Sequence, residues 1–206
     1  MKILLLNGST KPEGNTAAAL HELERELHAL GAETAFFQME NTEERDCIGC
    51  HACKKDQRCV FGGEVNRFVE LAETCDGFIF AAPVYFAHPA GRILSLLDRA
   101  YYCDRAAFTH KPGAALTVAR RAGTVASADV LNKYFTIAEM PVVSSTYWNV
   151  VFGGAPGEVT LDSEGMQTVR NLARNMVWLT RCIELGAENG VPAPQAENGA
   201  RMNFIH

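Results

Sequence analysis

No stretch of this chain approaches the run of about 20 apolar residues needed to cross a bilayer. The opening, MKILLLNGST, carries one lysine and a short apolar run before polar residues begin. A secretory signal needs an apolar core of roughly 7–15 residues, so the opening reads as a buried strand and the expected location is the cytoplasm. Positive charge is scarce too: 19 Lys and Arg stand against 24 Asp and Glu, a formal net charge of -5. That balance lacks the basic footprint of a nucleic-acid binder. No internal repeat is present. Neither a Gly-x4-Gly-Lys-Ser/Thr loop nor a Gly-x-Gly-x-x-Gly turn occurs, which removes the usual nucleoside-triphosphate and dinucleotide fingerprints.

What remains is a chain of 206 residues, 48% apolar, enough for one well-cored domain. Short apolar runs alternate with segments of helical period. Strands are expected at Lys2–Asn7, Glu33–Gln38, Gly77–Ala82 (stopped by Pro83), Gly113–Ala119 and Val142–Trp148. Helices are expected at Thr16–Leu30, Glu64–Thr74, Ala90–Tyr102, Ala126–Ile137 and Ser163–Leu185, the last capped by Ser163. Strand–helix alternation repeated five times predicts an α/β fold, a parallel sheet with helices on both faces and right-handed crossovers. The domain is expected to span 1–186. The tail 187–206, rich in Gly, Pro and Asn, reads as extended.

Ligands of open parallel sheets bind beyond the carboxyl ends of the strands, and three such ends carry unusual sequence. Gly8–Thr16, GSTKPEGNT, offers hydroxyls, an amide and backbone N–H groups at a helix start, the groups a phosphate monoester needs. It is also compatible with an ordinary polar turn capped by Thr16. Ala81–Gly91, AAPVYFAHPAG, places Pro83, Val84, Tyr85 and Phe86 where a flat aromatic ligand would find apolar walls, or where the rings pack beneath a loop. Ala119–Gly123, ARRAG, supplies arginines that either bond a charged ring edge or stay solvated.

Seven cysteines are present. Cys47, Cys50, Cys53 and Cys59 follow C-x2-C-x2-C-x5-C in a loop inserted after the second strand. Overlapping x2 spacings wrap a chain around one centre, as Fe–S loops do, whereas structural zinc favours two separated pairs. A 4Fe–4S cluster is the sharpest reading, with zinc and free or redox-active thiols as alternatives. Lys54, Lys55 and Arg58 would tune such a site by charge or stay solvated. Cys75, Cys103 and Cys182 read as small buried hydrophobes.

GSTKPEGNT, APVYFAHPAGRILSLLDR and ARRAG together resemble the NADPH-dependent FMN reductase family of flavodoxin-like proteins. With CIGCHACKKDQRCV added, the resemblance is to its iron–sulfur flavoprotein branch. It implies a five-stranded parallel sheet in the order 2-1-3-4-5, within a three-layer sandwich, with FMN at the switch between strands one and three. By position, Ser9, Thr10, Lys11, Asn15 and Thr16 would hold the phosphate. Pro83, Val84, Tyr85 and Phe86 would line the isoalloxazine, and Ala119, Arg120, Arg121 and Gly123 would close over its far edge. The resemblance also implies NAD(P)H as electron donor, a small-molecule or protein redox partner, and a homodimer or homotetramer. Relatives commonly place two aspartates shortly after the last cysteine, where this chain has Gly62, Gly63 and Glu64. The motifs name no catalytic residue. An oxidoreductase with turnover of its own, a flavodoxin-like carrier and a thiol or metal sensor are the three functional classes this sequence admits.

Overall fold

A computed structural model describes residues 1–197, 199, 200, 202 and 204. The expected tail lies partly outside the described residues. Five parallel strands stand in the order β2-β1-β3-β5-β6, where β1 is Lys2–Asn7, β2 Glu33–Gln38, β3 Gly77–Tyr85, β5 Gly113–Ala119 and β6 Val150–Phe152. A two-residue strand, β4 (His88–Pro89), folds back antiparallel on β3. Leaving β4 aside, this is the 2-1-3-4-5 order. Helices α1 (Asn15–Ala29), α2 (Glu64–Glu73), α3 (Gly91–Cys103), α4 (Thr124–Ile137) and α5 (Ser163–Glu188) form the outer layers.

The central strands are apolar on both faces because both faces are covered. Ile3, Leu5 and Ile79 pack against Leu20, Leu23 and Leu27 of α1 and Leu172 and Met176 of α5. Leu4, Leu6, Phe78 and Phe80 pack on the opposite side against Phe68, Leu97 and Phe135 of α2, α3 and α4. Among the described residues, no helix is long and apolar enough to cross a membrane.

Four local expectations need correction. The fifth strand is not Val142–Trp148. Val142 makes one bridge to Gly113, then the chain leaves the sheet and rejoins β5 only at Val150–Phe152. The intervening polar groups bond elsewhere: Ser145 Oγ donates to Thr168 O (2.7 Å), and Ser144 O accepts from Asn175 Nδ2 (2.8 Å). Pro83 does not stop the third strand. It sits opposite Val118 with its carbonyl accepting from Ala90 N (3.1 Å), so the strand runs on to Tyr85. The cap of α5 is Asp162 rather than Ser163, its Oδ1 accepting from Gly165 N (2.9 Å). Of the three cysteines read as buried, Cys182 is exposed.

Candidate functional site

The turn after β1 is held by amide side chains. Asn7 Oδ1 accepts from Ser9 N (3.0 Å), Asn7 Nδ2 donates to Gln38 Oε1 (2.6 Å), and Gln38 Nε2 donates to Ser9 O (2.6 Å). Gly8 is pressed against the neighbouring strand and helix. Its N–H donates to Ala81 O (2.8 Å), and a Cβ there would fall 2.7 Å from Ile93 Cδ1. Ser9 Oγ accepts from Lys11 N (3.2 Å), while Thr10 is half-buried and Lys11 exposed.

Helix α1 starts without a side-chain cap: Gly14 holds the N-cap position. Its first helical bond is Ala18 N to Gly14 O (3.0 Å), which, among the described residues, leaves the N–H groups of Asn15, Thr16 and Ala17 without carbonyl partners, as helix starts commonly do. Thr16 is buried in the first turn, and among the described residues its hydroxyl has no hydrogen-bond partner. Unpaired N–H groups beside an unpaired hydroxyl at the positive end of a helix suit an anion with several acceptor oxygens. The donor set therefore fits a phosphate monoester.

Asn15 points its amide elsewhere. Its Nδ2 donates to Ala155 O (2.9 Å) and its Oδ1 accepts from Val159 N (3.3 Å), tying α1 to the loop after β6. That loop, 153–158 (GGAPGE), is a part of the site that sequence reasoning missed, although its glycines and proline after a strand were the available signal. Glu158 accepts from Ala155 N (2.8 Å) and Gly154 N (2.6 Å), and these two backbone donors hold its carboxyl below the usual range.

The hairpin after β3 turns through Phe86 (φ 52°) and Ala87 (φ 60°), the two positive-φ positions of a type I′ turn. Pro83 and Val84 are half-buried, while Tyr85 and Phe86 are exposed. Gly123, the left-handed N-cap of α4 (φ 85°), lies against this hairpin: a Cβ on it would come 2.6 Å from Ala87 Cα and 3.1 Å from Val84 Cγ1. Ala119 is buried at the end of β5, and Arg120 and Arg121 are exposed beyond it. A Cβ on Gly154 would lie 3.2 Å from Arg120 Cγ. The loops after β1, β3, β5 and β6 thus surround one end of the sheet.

Cys47, Cys50, Cys53 and Cys59 line one pocket, bounded by Arg99, Tyr102 and Cys103 of α3. The loop is tightly wound, with Gly49, His51 and Gln57 all left-handed. Cys53 Sγ donates to Tyr102 O (3.2 Å), and Arg99 Nη2 donates to Cys59 Sγ (3.4 Å). Cys103 is buried, as expected, and lines the same pocket as the run. Burial first, then the neighbouring Cys53 and Cys59, push its thiol up to about 12. Lys54, Lys55 and Arg58 are exposed, Arg58 pairing with Glu70. Among the described residues no three His, Cys, Asp or Glu side chains converge to ligand distance, so the sulfurs share a pocket without forming a coordination shell. Four soft sulfur donors lining one pocket beside an arginine N–H are nevertheless a donor set suited to an Fe–S cluster.

Residues 1–155 match the sequence model of NADPH-dependent FMN reductases. The chain belongs to that family. It is 30% identical over 193 residues to an iron-sulfur flavoprotein of Methanocaldococcus jannaschii, covering 89% of this chain and 100% of the relative. An iron-sulfur flavoprotein of Methanosarcina thermophila is 31% identical over 191 residues, with 89% and 97% covered. A flavodoxin from the domain Archaea superimposes with a TM-score of 0.60 at 10% identity, over 88% of this chain and 99% of that one. This FMN reductase family member has the flavodoxin-like fold, and its four clustered cysteines stand in a chain whose relatives are named for iron and sulfur.

Proposed function

We propose that the protein is an FMN-dependent oxidoreductase that takes electrons from NAD(P)H and passes them to a small-molecule or protein acceptor, with a 4Fe–4S cluster on Cys47, Cys50, Cys53 and Cys59. The observation that carries the flavin reading is the start of α1, where, among the described residues, the Thr16 hydroxyl and three backbone N–H groups have no partner, at the end of β1, the strand that pairs with β3 and so leads towards the hairpin at Val84–Phe86. Ser9, Thr10, Lys11 and Thr16 would bind the phosphate, and Pro83 to Phe86 would flank the ring. Ala119, Arg120, Arg121 and Gly123 would orient its far edge. Asn15 acts by fixing the 153–158 loop beside the phosphate site. FMN, when bound, supplies two-electron acceptance with one-electron release, and a cluster supplies one-electron transfer. The exposed Tyr85 and Phe86 are surface that a second copy in a homodimer or homotetramer would cover.

Anaerobic stopped-flow mixing of FMN-loaded protein with NADH and, separately, NADPH tests the reading. Rapid flavin bleaching by one or both is expected. Flavin that stays oxidised with both, yet is reduced by a chemical reductant, would make the protein a carrier without nicotinamide turnover.

A further inference from the structure

We propose that Arg99 positions the cysteine run for its cluster and supplies the cation and N–H donor beside the Cys59 sulfur, an inference that rests on Cys47, Cys50, Cys53 and Cys59 being cluster ligands. Arg99 lies on α3, four residues before Cys103, with its side chain only 4% exposed. Its guanidinium binds the chain on both sides of the run. Before Cys47, Nη1 pairs with Glu44 Oε1 (2.5 Å) and donates to Arg45 O (3.4 Å). At its last cysteine and just beyond, Nη2 donates to Cys59 Sγ (3.4 Å) and Gly62 O (2.5 Å).

Two weaker braces run alongside: Arg92 donates to Thr42 O, and the Arg45 guanidinium lies 4.5 Å from the Phe61 ring centre. Neither touches a sulfur. Arg99 does; among the described residues its Nε, like that of Arg92, is buried without a hydrogen-bond partner. A buried arginine is costly unless its charge and donors are met. Here the protein supplies one carboxylate, two carbonyls and a cysteine sulfur. A rigid planar fork of five donors can fasten acceptors that lie apart, a spread the single compact ammonium of a lysine lacks. Sulfur ligands that become more negative on reduction are stabilised by such a donor, and outer partners of this kind orient metal ligands and tune the site.

The test compares wild type, Arg99→Gln and Arg99→Lys, each FMN-loaded and reconstituted without oxygen with iron and sulfide. Iron per chain and the cluster's midpoint potential are measured. Hydrogen exchange of the bonded amides of Gln57, Cys59 and Gly62 is followed in metal-free protein. In Arg99→Gln, iron affinity should fall about tenfold at unchanged FMN, and the residual cluster should be harder to reduce. The three amides should exchange faster while those of β1 and β3 keep their wild-type rates. Arg99→Lys, which keeps the charge but not the fork, should recover much of the iron and leave the loop amides fast. Wild-type iron and potential in Arg99→Gln overturn the proposal, whatever the loop does. If Arg99→Gln does not fold, Arg99→Lys decides: wild-type exchange and potential there overturn it. Wild-type protein that takes up no iron overturns the cluster reading itself, and is distinguished from failure of Arg99 alone because every form then lacks iron.

Discussion

Gly123 lies directly under Ala87: a Cβ on Gly123 would stand 2.6 Å from Ala87 Cα, and both residues have positive φ. One contact therefore joins the hairpin after β3 to the loop that starts α4. Gly123→Ala adds a left-handed strain and a backbone overlap together, a cost of about 1–3 kcal/mol. Urea denaturation should show that loss, and FMN titration a weaker complex. Unchanged stability would mean the two loops move apart freely.

Thr16 and Asn15 are neighbours with different expected effects. Thr16→Val removes the unpaired hydroxyl while keeping shape, so FMN affinity should weaken by about 1–3 kcal/mol, the range for a charge-assisted donor. Stability without flavin should hardly change. Asn15→Leu cuts the bonds to Ala155 and Val159 and should cost about 1 kcal/mol in flavin-free protein. Flavin binding untouched by Thr16→Val would place the phosphate elsewhere.

Glu64 gives a pH signature. Burial raises its carboxyl above the usual value, against the lowering effect of the Glu40 N–H; Oε1 accepts from that N–H, and among the described residues Oε2 is buried without a partner. A carboxyl with a higher pKa folded than unfolded holds its proton more tightly in the folded state. Its favourable contribution is complete below the ordinary carboxylate value and is lost as pH rises through the raised one. Glu64→Gln should therefore gain stability relative to wild type as pH goes from acid to neutral. A difference constant across that range would show that Glu64 is not linked to folding in this way.

Serine at Cys47, Cys50, Cys53 or Cys59 should lower iron content and broad visible absorption while FMN stays bound, because the groups proposed to hold the flavin come from the ends of β1, β3 and β5. Serine at Cys75, which is buried, or at Cys182, which is exposed, should affect neither. Loss of iron on changing Cys182 would contradict the assignment.

The layer order was legible in the sequence because runs such as KILLLN and GFIFAA are buried on both faces, and the helices between them keep one apolar side. Helix bodies were legible for the same reason. The fifth strand was not: VVSSTYW has strand composition, but its serines bond to α5 and its link to the sheet is the bridge of Val142 and Val143 to Gly113. The loop motifs at Gly8–Thr16 and Cys47–Cys59 stood out by residue type. Arg99 and Cys103 did not, because a helical Arg and Cys carry no local signal. Their role comes from α3 facing a loop some 40 to 55 positions away in the chain. The 153–158 loop was missed because Asn15 reaches it across 140 residues.

The central claim is one flavin at the ends of β1, β3 and β5 with iron and sulfide on the cysteine run. Cofactor analysis of protein purified without oxygen tests it most directly, by chromatography of heat-released flavin and by iron and sulfide assay. About one FMN, four irons and four sulfides per chain are expected. FAD at full occupancy, or no flavin in protein supplied with FMN, would contradict it.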